Sequence, residues 1–403
     1  MPEPWVLTIN GGSSSIKFAV FETGAATIRR LLHGKIDRIG GRETTLSFTD
    51  LAGGEKESQP IGEMDHRAAA SFLLDWLDRR IGLASLKAIG HRVVNGGARY
   101  KEPQPVTNEL MDELRRISAY APEHLPSEIA LIELFSARAP TLAQVACFDT
   151  AFHQNMPRVA KILPIPRRYG ALGVERLGFH GLSYEFLVEE LTRVAGEEAA
   201  SGRLILAHLG NGVSLSAVRN GKGIDTTMGF TPAAGVPMGT RAGDLDPGLL
   251  MFLVRTEGMT VERFHRMVNH ESGLLGVSGT SSDLRDLLDR EADDVRASEA
   301  VDLFCYQIRK SIGELAAALG GLDTLVFTGG IGENSPVVRA RICTDLDFLG
   351  IHLDAKRNDN NEPVISMDAD HVSVRVVATD EELMIAKAVG RVLDHASHKE
   401  LRT

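Results

Sequence analysis

The run Asn10-Gly11-Gly12-Ser13-Ser14-Ser15-Ile16-Lys17 lies between two apolar stretches, Trp5-Val6-Leu7-Thr8-Ile9 and Phe18-Ala19-Val20-Phe21. Its residue types suit a phosphate. A glycine-serine turn between strands aims backbone N–H groups and hydroxyls at one point, and Lys17 adds a positive charge there. A surface hairpin would use the same Gly and Ser residues. His208-Leu209-Gly210-Asn211-Gly212-Val213-Ser214 repeats the arrangement at an offset of 200 residues, with Gly212 and Ser214 matching Gly12 and Ser14. A third glycine cluster, Gly329-Gly330-Ile331-Gly332-Glu333-Asn334, follows the apolar Thr324-Leu325-Val326-Phe327. Small residues between a strand and a helix let a nucleotide approach the backbone, although a tight turn with positive φ needs them equally.

The charged candidates are fewer. Arg92 and Arg241 carry planar forks suited to carboxylate or phosphoryl oxygens, and a surface ion pair would also use them. Asp149 ends the strand candidate Ala143–Phe148, a ligand-facing position in a parallel sheet or else a helix N-cap. His180 sits in Gly178-Phe179-His180-Gly181, where the glycines give the ring room to approach a ligand. Glu381 and Glu382 open the last helix. They read as favourable N-terminal charge or as an oxygen ligand to Mg²⁺.

Strands alternating with helices must position these groups. Helical spacing predicts a helix over 66–81 through Ala69, Phe72, Leu73, Trp76 and Leu77, and another after Thr107 through Leu110, Leu114 and Ile117. Further helices are expected over 127–138, 298–319 and 381–397, and strands over 143–148, 324–327 and 374–377. Gly329–Gly332 reads as a turn, Ser335 as an N-cap before Pro336, and Asn220-Gly221 as a hairpin turn. The alternation indicates an α/β fold. At 403 residues, two domains are expected, with a boundary near 150. With 44 Lys and Arg against 54 Asp and Glu, net charge is -10, which argues against nucleic acid or an anionic membrane as partner. Only three Cys occur, so neither a disulfide framework nor a Cys-rich zinc site is suggested, and a reducing compartment fits. Met1-Pro2-Glu3-Pro4-Trp5 is unlike a signal peptide and no apolar run could span a membrane, so a cytoplasmic location is expected.

Taken in order, the motifs resemble those of the acetate kinase (acetokinase) family, in the acetate and sugar kinase, heat-shock protein and actin fold group. The resemblance is carried by residues 10–17, His91-Arg92-Val93-Val94, Phe148-Asp149-Thr150-Ala151-Phe152-His153, Gly178-Phe179-His180-Gly181 and His208–Gly212. It continues through Asp225-Thr226-Thr227-Met228-Gly229-Phe230-Thr231-Pro232, Met238-Gly239-Thr240-Arg241, Ser282-Asp283-Leu284-Arg285, Gly330–Asn334 and Glu381-Glu382-Leu383. It implies two α/β domains of duplicated actin-like (ribonuclease H-like) fold with an interdomain active-site cleft. The first would take 1–149 plus a C-terminal helix from about 385 to 403, the second, nucleotide-binding domain 150–384, and the chain would form a homodimer. It also implies residue roles. Asn10 and Glu381 would hold Mg²⁺, with Mn²⁺ able to substitute. ATP or ADP would bind Ser13, Ser15, Lys17, His208, Leu209, Gly210, Asn211, Gly212, Asp283, Leu284, Arg285, Gly330, Ile331, Gly332, Glu333 and Asn334. Arg92 would bind the substrate carboxylate, and Val93, Phe179 and Pro232 its acyl tail. His180 and Arg241 would stabilise the transition state, with Asp149 as the family's acid/base.

The implied reaction is reversible phosphoryl transfer between ATP and acetate, giving acetyl phosphate and ADP. Propionate or another short-chain carboxylate is an alternative acceptor. A non-catalytic nucleotide-binding scaffold is disfavoured, because Arg92, Asp149, His180 and Arg241 are all present. The acceptor is already ionised at neutral pH, so the obstacle is repulsion between two anions, and positioning with charge neutralisation must supply the catalysis. Asp149 is therefore expected to orient Mg²⁺ or Arg92 rather than to move protons. The chain departs from the family at Asn95 (usually His), at Leu182-Ser183-Tyr184 (Thr-Ser-His) and at Asp380 (Asn). It also has Pro122-Glu123-His124-Leu125-Pro126 where Pro-Leu-His-Asn-Pro is common. Glu123 would bring a carboxylate toward the acyl pocket, which leaves acyl preference open; one methylene is worth only about 1–3 kcal/mol.

Overall fold

The structure, a computed structural model, describes residues 5–12, 14–23, 28–41, 43–368 and 371–400, without the side chains of 396–400. Ser13 lies outside the described residues. The chain divides into two compact units, Met1–Ala151 with Asp380–Thr403, and Phe152–Thr379. The second crossing thus falls before the acidic pair rather than after residue 384. The reason is local: Asn10 Nδ2 donates to Glu381 Oε2 at 2.8 Å and to Glu382 Oε1 at 3.3 Å, which ties the start of the last helix to the first unit.

The first unit is built on strands β1 (Trp5–Gly11), β2 (Ile16–Thr23), β3 (Ile28–Asp37), β4 (Thr44–Asp50), β5 (Glu55–Gly62), β6 (Leu86–Val93), β7 (Gln104–Pro105) and β8 (Ala143–Phe148). They lie in the order β5-β4-β3-β2-β1-β6-β8-β7. Because side chains alternate across a strand, Ile16, Phe18 and Val20 enter the core with Leu7 and Ile9, while Lys17 stays exposed. The helices His66–Ile81 and Leu125–Arg138 close that core through Leu73, Leu77, Leu131 and Phe135. The C-terminal helix Glu381–Glu400 packs on β1 and β6.

The second unit carries β9 (Arg203–Leu209), β10 (Val213–Arg219), β11 (Lys222–Thr226), β12 (Thr324–Thr328) and β13 (Ser373–Val376), in the order β11-β10-β9-β12-β13. Here β9, β10 and β11 form an antiparallel meander, while β12 runs parallel to β9 and β13 parallel to β12. In the first unit β1, β2 and β3 form the same meander, β6 runs parallel to β1 and β8 parallel to β6. The faint repeat in the sequence is therefore a repeat of topology: each glycine turn joins the first two strands of one sheet. Tyr184, Leu187 and Leu191 of the helix Gly181–Ser201 pack on Leu204, Leu206 and Val218, and the helix Val295–Leu319 lies over β9, β10 and β11.

Local chemistry accounts for most boundaries. Asp65 caps the first helix by accepting from Ala68 N, and Thr107 caps Asn108–Arg116 by accepting from Leu110 N. The long helix starts at Val295 rather than 298, because Asp294 caps it through Arg296 N. Asn220 and Gly221, with φ of 51° and 68°, make the expected hairpin. One expectation needs correction. Gly329–Gly332 is not an open turn but the start of a short helix, Gly329–Asn334, whose Glu333 accepts from Gly329 N at 2.9 Å. Ser335 occupies the cap position before Pro336–Cys343, yet its side chain makes no capping bond.

The last helix meets β6 at a glycine. A Cβ on Gly90 would lie 2.3 Å from Ile385 Cγ2 and 2.7 Å from Val389 Cγ2, both branched and buried. Gly90→Ala is expected to destabilise the first unit by about 1–3 kcal/mol, measured as a lower midpoint in urea unfolding.

Candidate active site

In the first unit, strand ends bring Asn10, Arg92 and Asp149 together. Pairing of β1 with β2 sets Asn10 opposite Lys17, and the turn between them closes with Gly12 N donating to Ser15 O at 2.7 Å. Lys17 lines a cavity of about 580 Å³ with Arg30, His33 and Glu382. Arg92 lies near the end of β6, beside β8, which runs into Asp149. Its Nε and Nη2 donate to Asp149 Oδ2 at 2.9 and 2.5 Å, and its Nη1 donates to Gly11 O at 3.2 Å. Nη1 also stands 3.6 Å from Glu128 Oε1. Burial works against the charge on Arg92, but Asp149, Glu128 and Glu381 outweigh it and hold its pKa above the usual arginine value. Burial pushes the Glu128 carboxyl up to about 7, with Arg92 pulling the other way. Burial also raises Glu382, against the opposing pull of Lys17.

Asp149 is thus engaged in orienting Arg92. Val93, the last residue of β6, is buried next to it. Asn95 uses its Oδ1 to accept from Gly97 N at 2.8 Å, while its buried Nδ2 has no hydrogen-bond partner. Asn10 donates its Nδ2 to two carboxylates, which leaves Oδ1 as the atom for a cation. Among the described residues no group of three His, Cys, Asp or Glu could hold a metal ion. A hard, all-oxygen set of one amide and neighbouring carboxylates fits Mg²⁺, which keeps most of its waters.

In the second unit the anchor is His180, which precedes the helix Gly181–Ser201 in a left-handed conformation (φ 57°, ψ 26°). Its Nδ1 is 2.8 Å from Ser214 Oγ, which is in turn 2.5 Å from Tyr184 Oη. Its ring stacks on His208 with centroids 4.2 Å apart, and His208 Nδ1 is 2.9 Å from Ser183 Oγ. A Cβ on Gly212 would sit 3.0 Å from His180 Nε2 and 3.7 Å from Arg241 Nη1, so glycine here lets backbone, imidazole and guanidinium share one wall. Arg241 Nη1 donates to Pro232 O at 3.4 Å. Phe179 is buried, and its carbonyl is 2.9 Å from Nε2 of His153, a ring kept neutral by burial, which lowers its pKa to about 4.

Three of the four segments expected at the nucleotide, those of the second unit, adjoin one another. Gly239 stands between Asn211 Oδ1 and Ser282 O, 3.9 and 3.0 Å from its notional Cβ, which joins the 208–212 turn to the segment of Asp283, Leu284 and Arg285. There Asp283 caps the helix Leu284–Arg290 through Arg285 N and pairs with the Arg285 guanidinium at 2.6 Å, while Leu284 is buried. Gly329 and Gly332 lie against Leu209. Within the helix Gly329–Asn334, Asn334 Nδ2 donates to Gly330 O, and Ile331 is partly exposed. Glu333 accepts from Gly329 N, Thr328 Oγ1 and Thr379 N, so its carboxylate ties down the loop from within.

Several supporting residues escape the sequence motifs. Glu128 and Arg339 are among them. Fully buried, Arg339 donates to Gly332 O (2.8 Å), Glu333 O (3.2 Å), Asn358 Oδ1 (2.9 Å), Asn358 O (2.8 Å) and Asn361 Oδ1 (2.7 Å). No local pattern announces a fully buried arginine; only tertiary packing does.

Two sheets sharing one core topology, each with a glycine hairpin between its first two strands, define a duplicated α/β protein. The comparisons make this specific. The profile of the Acetokinase family matches residues 5–387, so the chain belongs to that family. Acetate kinase of Rhodopseudomonas palustris is 43% identical over 394 residues, 96% of this chain and 98% of the relative. Propionate kinase of Citrobacter rodentium is 42% identical over 392 residues, 96% of each chain. Among solved structures, a propionate kinase from Francisella tularensis superposes with a TM-score of 0.87 at 34% identity, covering 95% of this chain and 98% of its own. Porphyromonas gingivalis acetate kinase gives 0.84 at 37%, covering 96% and 99%.

Removing Arg339 would orphan several buried carbonyl and amide oxygens around the Gly329–Asn334 loop. Arg339→Met is expected to destabilise the second unit by about 2–4 kcal/mol, read from chemical unfolding, with faster amide exchange at 329–334.

Proposed function

We propose that this chain transfers the γ-phosphoryl group of ATP reversibly to a short-chain carboxylate, with acetate as the principal acceptor and acetyl phosphate and ADP as products. The observation that carries the reading is the partly buried Arg92 guanidinium, oriented by Asp149 beside the buried, apolar Val93. A cation that cannot swing away, next to an apolar wall, is what a small carboxylate with a short tail requires.

The two anions must approach without repelling each other. Arg92 takes the carboxylate, and its charge is maintained by Asp149, which orients the fork instead of exchanging a proton. Val93, Phe179 and Pro232 receive the methyl group. The nucleotide is held by Ser13, Ser15 and Lys17, the turn from His208 to Gly212, the Asp283–Arg285 segment and the loop from Gly330 to Asn334. Most of that loop binds through its backbone, since the Glu333 carboxylate is committed inward. His180 and Arg241 face the charge that develops on the transferring group. His180 contacts Ser214 through Nδ1, and its Nε2 is on the Gly212 side. Mg²⁺, held by Asn10 Oδ1 and the Glu381 carboxylate, would neutralise phosphate charge, and Mn²⁺ would serve the same donor set. A homodimer acting in the cytoplasm completes the reading.

Propionate is the second acceptor to consider, because the propionate kinase of Citrobacter rodentium is nearly as similar as the acetate kinases. Trapping acyl phosphate as its hydroxamate, with Mg-ATP and acetate, propionate or butyrate, tests both readings. Acetate is expected to give the highest kcat/KM; no hydroxamate from any acid would overturn the proposal. His180→Ala is expected to lower kcat about 10²–10³-fold with little change in either KM.

A further inference from the structure

We propose that Glu128 is a positioning residue that sets the affinity for the carboxylate substrate: its buried carboxylate shares Arg92 with Asp149 and opposes an incoming anion by its own charge. This rests on Arg92 receiving the substrate carboxylate.

A glutamate in the first turn of a helix ordinarily lies at the surface, near the helix's own N–H groups. Glu128 does neither. It is 2% exposed, and its Oε2 accepts from Val94 N at 2.9 Å, a backbone group just beyond β6. That bond fixes the carboxylate against the strand bearing Arg92. Its Oε1 is buried, accepts no hydrogen bond and lies 3.6 Å from Arg92 Nη1. A desolvated carboxylate oxygen without a hydrogen bond is costly and is retained here beside a guanidinium.

The guanidinium is heavily engaged. Of its five N–H groups, two go to Asp149 and one to Gly11 O, while the remaining Nη1 hydrogen is on the side of Glu128. One Nη2 hydrogen is left for substrate. The charges facing Glu128 are Arg92 from β6 and Asp149 after β8. Glu381 acts on Arg92 from the C-terminal helix, and His124 precedes Glu128 by one turn, accepting from Glu128 N. One guanidinium against two ionised carboxylates is net negative, so a substrate carboxylate would arrive as a third anion. With Glu128 protonated the cluster carries one negative charge fewer and admits it more readily. Burial places that titration at about 7, so raising pH through neutrality adds the opposing charge.

Steady-state KM for acetate and for ATP, measured for the wild type and Glu128→Gln at about pH 6 and about pH 8.5, tests this. Glutamine keeps an acceptor for Val94 N and loses the charge. The wild-type acetate KM is expected to rise about 5–10-fold from the lower to the higher pH, with Glu128→Gln holding the low value throughout and the ATP KM within about twofold. A rise that persists in Glu128→Gln, or an ATP KM that moves with the acetate KM, would overturn the proposal. So would a flat acetate KM in the wild type, a result that needs no variant to fold. Arg92→Ala separates the two ideas. An acetate KM unchanged by Arg92→Ala overturns the role of Arg92 and this proposal together. An acetate KM raised by Arg92→Ala but, at about pH 8.5, the same in Glu128→Gln as in the wild type overturns the role of Glu128 alone.

Discussion

A guanidinium kept charged inside a sheet is the interaction on which the first unit depends. Arg92 can be largely withdrawn from solvent because carboxylates from two other segments and a carbonyl from β1 converge on it. Breaking such a cluster by removing one partner leaves a buried charge uncompensated, at a cost of about 3–5 kcal/mol. The strands obey that requirement. Parallel pairing of β6 with β1 and β8 brings Gly11, Arg92 and Asp149 to the same edge, and the glycine turn follows directly from β1. The sheet thus sets the position of the cation before any ligand is considered.

The second unit uses the same topology for another purpose. Its first hairpin carries His208, Asn211 and Gly212 where the other carries Asn10, Gly11 and Gly12. With no lysine to match Lys17, its polar character comes from imidazole, amide and backbone. His180 stacks on His208 with ring centroids 4.2 Å apart, and Arg241 brings a guanidinium to the same wall. One scaffold, duplicated, can therefore carry different side chains at its two hairpins, since function lies in the residues placed on a fold and not in the fold itself.

Periodicity and capping chemistry, both local, brought most elements within reach of the sequence. Asp65 and Thr107 cap the helices they precede, and Asn220-Gly221 turns as its residue types demand. The glycines of 329–332 misled because glycine favours turns in isolation. Here Glu333 folds back onto Gly329 N, and Arg339 gathers the carbonyls of Gly332 and Glu333. The sequence motifs name Arg92, Asp149, His180 and Arg241, but not the residues that hold them. Glu128 lies in no motif, and Ser214 is marked only by its match to Ser14 in the repeated turn. Their partners lie 30 or more residues away, beyond any local pattern.

By itself the sequence determined the residue types: glycine clusters between strands, two arginines with forks suited to carboxylate or phosphoryl oxygens, an amide and carboxylates able to offer oxygen, and a net charge of -10. These follow from side-chain chemistry and short-range spacing, which survive without a fold. Tertiary structure alone decided which carboxylates Arg92 meets, that Asn10 offers an oxygen because its nitrogen is engaged, and which nitrogen of His180 is occupied by Ser214. Such decisions depend on burial and on hydrogen bonds between distant segments, which form only when the chain has closed on itself.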